Sequence, residues 1–278
     1  MPKRSLNLKK FNIFVSTLTI LISFQFLVLQ PILFWLLVFL MFWVIVFSVW
    51  KILPKNVAIR RELRSGDSIF LKLKTVFKIA VEDRNYTFFM SPIFLLFGTL
   101  SFILFLKNKI LIQISVLFFV FLYFLFLDSL YSYFYNKESY FLENIFTVIN
   151  FTSLFLIYSS LFSLFVIFGV SLWLVIGLFL FFTFLSNHQI FHIYRVLDRI
   201  NYFYNIAITL VMVEIFWALT FLPTSFYVNG LVLLSVYYSI MGISYFHLKG
   251  LLDRIKIVRH LIITLVIILS ALTTARWF

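Results

Sequence analysis

Glu214 is an acidic residue set inside the apolar stretch Tyr204 to Leu222, about ten residues and so roughly 15 Å from either end of the helix that stretch would form. A carboxyl at that depth must face the protein interior, be protonated, or line a wet cavity, and such residues mark functional sites by default. A second set of chemical groups is written twice. Phe191, His192, Leu197, Asp198, Arg199 and Ile200 recur 55 positions on as Phe246, His247, Leu252, Asp253, Arg254 and Ile255. Asp198 with Arg199, and Asp253 with Arg254, could meet phosphate groups or each other, or form helix-surface ion pairs among lipid headgroups, and with His192 and His247 they would make the cytoplasmic-face site of a lipid-modifying enzyme. His188 and His192 sit one helical turn apart, a spacing that can hold a metal, yet only His247 and His260 remain as further histidines and no HExxH is present. No metal, cofactor or catalytic residue is therefore assigned. Cysteine is absent, which removes disulfides, thiolate catalysis and cysteine metal sites. No phosphate-binding glycine loop and no nucleophile elbow occurs.

The duplication extends through the following apolar run, where Ile208, Thr209, Leu210 and Val211 meet Ile263, Thr264, Leu265 and Val266 without a gap. Apolar runs match one another by chance, but a His, Asp and Arg at fixed spacing do so less readily, so the pattern reads as a tandem repeat of about 55 residues. Each unit would be a helical hairpin followed by a short amphipathic helix. Ile193, Val196, Leu197 and Ile200 fall at i, i+3, i+4 and i+7, and Leu248, Leu251, Leu252 and Ile255 copy them, so both short helices are expected to lie flat on the inner leaflet. Leu269 stands where the repeat would place Glu214, so the carboxyl breaks the internal symmetry.

The elements that must position these groups follow from composition. With 63% hydrophobic and 12% charged residues, the chain is far more apolar than a globular domain, which carries about a quarter charged residues. The expected fold is an all-α integral membrane protein. A net charge of +13 would suggest nucleic acid on a soluble protein, but the basic residues cluster between long apolar runs, where they orient the chain in a bilayer, so nucleic acid is excluded as a partner. Nine spans are predicted at about 11–29, 32–50, 88–106, 110–127, 145–163, 166–185, 204–222, 226–246 and 258–275. The 40-residue run Phe11 to Trp50 divides at Gln30 and Pro31, and Ile145 to Leu185 divides at an uncharged turn near Leu164. Asp128 to Asn144 reads as a Tyr-rich interfacial segment. With the N-terminus in the cytoplasm and the C-terminus external, every Lys and Arg except Lys107, Lys109 and Arg276 falls on the inner side.

On this reading residues 1–278 form a single polytopic domain of the cell membrane, with membrane lipids as partners. The basic cytoplasmic loop 51–87 carries, over 51–84, a surface for the membrane or for a cytoplasmic subunit. Asn150, Ser153 and Ser160 share one face of the fifth span, where such residues act as packing glue or line a path. In topology the chain is similar to the intramembrane prenyltransferases, whose loops after spans two and six hold paired aspartates for magnesium and diphosphate. Here those loops offer Asp67 and Asp83 in one and Asp198 alone in the other, so the likeness ends at topology. The functional expectation is a non-enzymatic carrier, binding protein or membrane subunit handling a small or lipidic molecule. A lipid-modifying enzyme with a cytoplasmic-face site and a structural protein without ligand are the alternatives.

Overall fold

The computed structural model describes residues 3–53, 86–136, 139–194 and 199–275. The basic segment from 54 to 85 and Asp198 lie outside them. The described residues form nine long helices: α1 (Lys3–Leu29), α2 (Phe34–Ile52), α3 (Tyr86–Leu104), α4 (Lys109–Asn136), α5 (Ser139–Phe168), α6 (Leu172–Ile193), α7 (Arg199–Leu219), α8 (Phe226–Leu248) and α9 (Arg254–Thr274). Each is long and apolar enough to cross a membrane, which makes the chain a multi-pass membrane protein.

The breaks between helices have local causes. Pro31 opens a single 3-10 turn, Pro31–Leu33, ahead of α2, where its missing N–H costs nothing. Asn108 starts α4 by accepting the Ile110 N–H on its side-chain oxygen at 2.8 Å, an N-cap that the intervening Lys107-Asn108-Lys109 supplies. The turn expected near Leu164 lies later. α5 runs on to Phe168 and stops at Gly169, whose φ of 59° suits a residue without a Cβ. The Tyr-rich segment is likewise not separate from the spans, because α4 continues to Asn136 and α5 begins at Ser139.

The second of the two expected flat helices is not formed. α8 ends at Leu248, Gly250 takes a φ of 65°, and its N–H bonds the His247 carbonyl while Leu251 N–H bonds that of Phe246, each at 2.9 Å. This is a Schellman termination, and Leu251 to Asp253 then run as irregular chain into α9. The first expected flat helix, from Ile193 to Ile200, falls largely outside the described residues.

The residues sort into two compact units, Met1–Ile93 with Gln113–Phe146, and Phe94–Ile112 with Thr147–Phe278. In the first, α2 turns Met41, Ile45, Val49 and Ile52 inward at helical spacing. Aromatic contacts fill the rest, with Phe24 5.0 Å from Phe119 and Phe126 5.2 Å from Phe146. Gln25 on α1 and Gln113 on α4 exchange a reciprocal amide pair at 2.8 and 3.2 Å, satisfying both side chains without water.

The second unit is built on α5, α6, α7 and α8. Phe216 of α7 lies 4.6 Å from both Phe162 and Phe179, and Tyr158 lies 4.8 Å from Phe179. α6 packs against α7, and α8 against α9. The ends of α6 and α8, the starts of α7 and α9 and the ends of α7 and α9 are each separated by the same 55 positions as Phe191 and Phe246. Thr209 and Thr264, matched in sequence, each bond the preceding helix, through partners that are not themselves matched. Thr209 accepts from Asn187 of α6 at 3.1 Å, while Thr264 pairs with Ser239 of α8 and donates to the Ser235 carbonyl at 3.0 Å.

One backbone approach in this unit depends on a missing Cβ. A Cβ built on Gly230 of α8 would stand 2.2 Å from Ser159 Oγ and 3.0 Å from its backbone nitrogen, so the glycine lets α8 lie against α5. Gly230→Leu is therefore expected to cost about 1–3 kcal/mol of overpacking. It should lower the unfolding temperature in detergent, while Gly177→Leu, whose site has open space, leaves it unchanged.

Candidate functional site

Among the described residues an open groove of about 590 Å³ runs between α1 and α2 in the first unit and reaches Leu127 of α4. Its polar groups gather toward one end. Asn12 comes from the N-terminal half of α1 and Ser16 from its middle, and Ser48 and Lys51 come from the last turns of α2, which places them together in an antiparallel hairpin. Beyond them the wall is apolar and aromatic, with Phe47, Val44, Trp43, Leu40, Phe39 and Leu36 following α2 over 15 residues from Lys51, about 22 Å of helix. That length covers most of a hydrocarbon thickness of roughly 30 Å.

The hydroxyls at the polar end are already held by their own helices. Ser16 donates to the Ile13 carbonyl at 2.9 Å, Thr19 to Val15 at 2.8 Å and Ser48 to Val44 at 2.6 Å, so each oxygen keeps acceptor capacity, with the buried Tyr123 hydroxyl beside Ser16 and Ser48. Lys51 is exposed, with its Nζ 5.3 Å from the Phe47 ring centroid, close enough for a cation–π contact. A cation and an amide at one end of an apolar trough match an amphiphile with a polar or anionic head. Asn12, Ser16 and Thr19 follow i, i+4, i+7 along the first half of the span, and that spacing is the signal by which the sequence could have revealed the site.

The second unit holds a set of its polar groups differently, buried and bonded from helix to helix. Asn150 of α5 accepts from Ser186 of α6 at 2.5 Å and donates to Gln189 at 3.4 Å, and Ser186 lies 3.4 Å from the Tyr237 hydroxyl of α8. Tyr158 and Thr183 pair at 3.1 Å. All are buried. Of the three residues read as one face of the fifth span, only Asn150 reaches another helix through these bonds. Ser153 and Ser160 donate to carbonyls one turn back, at 2.7 and 2.6 Å.

Glu214 departs from expectation twice. α7 ends at Leu219, so the carboxyl lies about 8 Å from that end and about 22 Å from Arg199 rather than midway. It also does not face inward. Asn205, Ile208, Thr209, Met212 and Phe216 form the buried side of α7, and Glu214 sits on the opposite, exposed side with Leu210, Val211 and Trp217. The inward side is the one whose polar groups find partners on α6, with Asn205 donating to the Phe184 carbonyl at 3.3 Å and Thr209 accepting from Asn187 at 3.1 Å.

The remaining candidates are spread over helix ends. His192 is half-buried in the last turn of α6, and His247 is exposed in that of α8, its ring 5.9 Å from Tyr204. Asp253 and Arg254 are exposed at the start of α9. Arg199 opens α7, but its side chain, like Asp198, lies outside the described residues. Tyr194, which the sequence did not single out, gathers more contacts. Its hydroxyl lies 2.7 Å from that of Thr147 and its ring 4.5 Å from that of Tyr245, whose hydroxyl accepts from Lys249 at 2.6 Å. Among the described residues no group of three His, Asp or Glu is close enough to hold a metal ion.

The packed and the open polar sites should respond differently to substitution. Asn150→Leu strands Ser186 and Gln189 and is expected to cost about 1–3 kcal/mol of stability in detergent or bicelles. Asn12→Leu, at the exposed rim of the cavity, should change stability by less than about 0.5 kcal/mol. Comparison with known proteins adds no family to this geometry: no family model, no curated protein and no solved structure matches the chain.

Proposed function

We propose that this chain is a non-enzymatic polytopic protein of the cell membrane that holds a lipidic amphiphile between α1 and α2. The cavity carries the reading: an apolar trough along α2 that ends in Asn12, Ser16, Ser48 and Lys51. An anionic head would sit against the Lys51 ammonium and the Asn12 amide, and its chain would run along Phe47, Trp43, Phe39 and Leu36. The positive-inside pattern sets the N-terminus in the cytoplasm, which puts Lys51 at the inner leaflet, where anionic lipids are concentrated. In this reading α6–α7 and α8–α9 are successive copies of one hairpin, inserted in the same sense and related by an axis along the membrane normal.

Binding is measured by native mass spectrometry of the chain extracted in mild detergent and titrated with an anionic or a zwitterionic phospholipid of the same acyl length. The anionic lipid is expected to bind more tightly, with Lys51→Ala weakening it about fivefold, the size of one lysine near an anionic surface. Leu36→Trp should weaken both lipids by filling the apolar end. Equal affinity for the two headgroups, untouched by Lys51→Ala, would remove the cavity as the binding site.

Topology is checked separately, and the lack of native cysteine makes single-cysteine labelling clean. Ser171→Cys, between α5 and α6, should react in intact cells with a membrane-impermeant maleimide, while Lys249→Cys, after α8, reacts only once the membrane is opened. The reverse pattern would invert the orientation and move the Lys51 end to the outer leaflet.

A further inference from the structure

We infer that the exposed face of α7 is an interface with a second copy of this chain, closed by Glu214 of each. Phe203, Leu210, Val211, Glu214, Trp217 and Phe221 follow that side at helical spacing, and all are exposed. Ala207 and Ala218, also exposed, flank Glu214 seven residues before and four after it. Positions 207, 211, 214 and 218 thus repeat at the 3.5-residue average of two helices that pack side by side, with alanine on two of the four.

Glu214 has no hydrogen bond or ion pair among the described residues. Its side chain also does not lead to the nearer membrane surface, because Cβ atoms tilt toward a helix N-terminus and so direct it away from Leu219, toward Leu210 and Val211. Acyl chains offer a carboxyl nothing to bond. The matched helix supplies the contrast. α9 exposes Leu265, Val266 and Leu269 in the same frame, an apolar surface that lipid covers without cost.

A second copy is the occupant that fits. Two copies inserted in one membrane share orientation and depth, so a two-fold axis along the membrane normal sets Glu214 opposite Glu214, Val211 opposite Val211 and Ala218 opposite Ala218. A neutral carboxyl carries one O–H donor and one carbonyl acceptor, so each member of such a pair satisfies the other, whereas a different partner would have to bring a donor to that depth. This interface does not depend on the α1–α2 cavity.

The test uses full-length chain in its own membranes, oxidised to form disulfides. Val211→Cys and Ala218→Cys should each give a cross-linked dimer, and Val266→Cys, the matched exposed valine of α9, should not. Adding Glu214→Leu to Val211→Cys should lower the cross-linked fraction about tenfold, while Glu214→Gln, whose carboxamide also both donates and accepts, keeps it within about twofold. Because Glu214 is exposed, both variants should match the parent in membrane yield and unfolding temperature. Equal cross-linking at Val266, a Val211 dimer indifferent to Glu214→Leu, a chain that stays monomeric, or a Val211 cysteine that captures a different protein would each overturn the proposal.

Discussion

Hydrocarbon supplies no hydrogen-bond partners, and the placement of polar side chains in this protein follows from that constraint. Most of its serines and threonines within the helices donate to a carbonyl one turn back: Thr17 to Ile13, Ser23 to Thr19, Thr99 to Leu95, Ser163 to Ser159, Ser235 to Leu231. Such a group costs little to embed and leaves its helix free to pack on any side. Longer polar side chains cannot satisfy themselves in this way, so they are spent between helices. Gln25 with Gln113 joins α1 to α4, Asn150 with Ser186 joins α5 to α6, and Asn187 with Thr209 joins α6 to α7. These few cross-helix bonds specify which helices are neighbours, because the lipid-facing and protein-facing sides are otherwise equally apolar.

Packing adds shape to that specification. Glycines at positions 98 and 230 allow α3 and α8 to approach α5 closely, and a Cβ at Gly98 would stand 3.0 Å from the Ser153 carbonyl oxygen. The aromatic set of Tyr158, Phe162, Phe179 and Phe216 then fills the space between α5, α6 and α7. In the first unit the hairpin of α1 and α2 turns Met41, Ile45 and Val49 inward and leaves a trough along the other side of α2. Its polar end uses the same hydroxyl back-bonding, which keeps Ser16 and Ser48 compatible with either an empty or an occupied trough. Among the described residues Glu214 is an exposed carboxyl that none of these devices reaches, which makes its face of α7 different from the matching face of α9.

The sequence alone was enough to establish the class and the element order. Long uncharged runs admit only helices that satisfy their own backbone, and Pro31, Asn108 and the charged segments mark where those helices stop. The 55-residue spacing of Phe191-His192 and Phe246-His247 recurs between the ends of α6 and α8, although the sixth span, expected over 166–185, runs from Leu172 to Ile193. Boundaries without charge were harder. The turn expected at Leu164 falls at Gly169, because in an uncharged run only backbone conformation, not polarity, chooses the stopping point. The amphipathic spacing of Leu248, Leu251, Leu252 and Ile255 was real but carried no helix, since Gly250 ended α8 in a Schellman turn.

Which side of each helix faces the protein was decided only in the tertiary structure. In water, hydrophobic periodicity reveals the buried side, but in a bilayer both sides are apolar and the period is erased. Glu214 therefore read as midway along its helix, with facing the interior, protonation or a wet cavity all open, whereas it lies on the exposed side of α7 and the helix end at Leu219 brings it near one surface. The α1–α2 trough was hidden for the same reason. Asn12, Ser16 and Thr19 mark one side of α1 in sequence, but only the antiparallel return of α2 brings Ser48 and Lys51 beside them and forms a cavity.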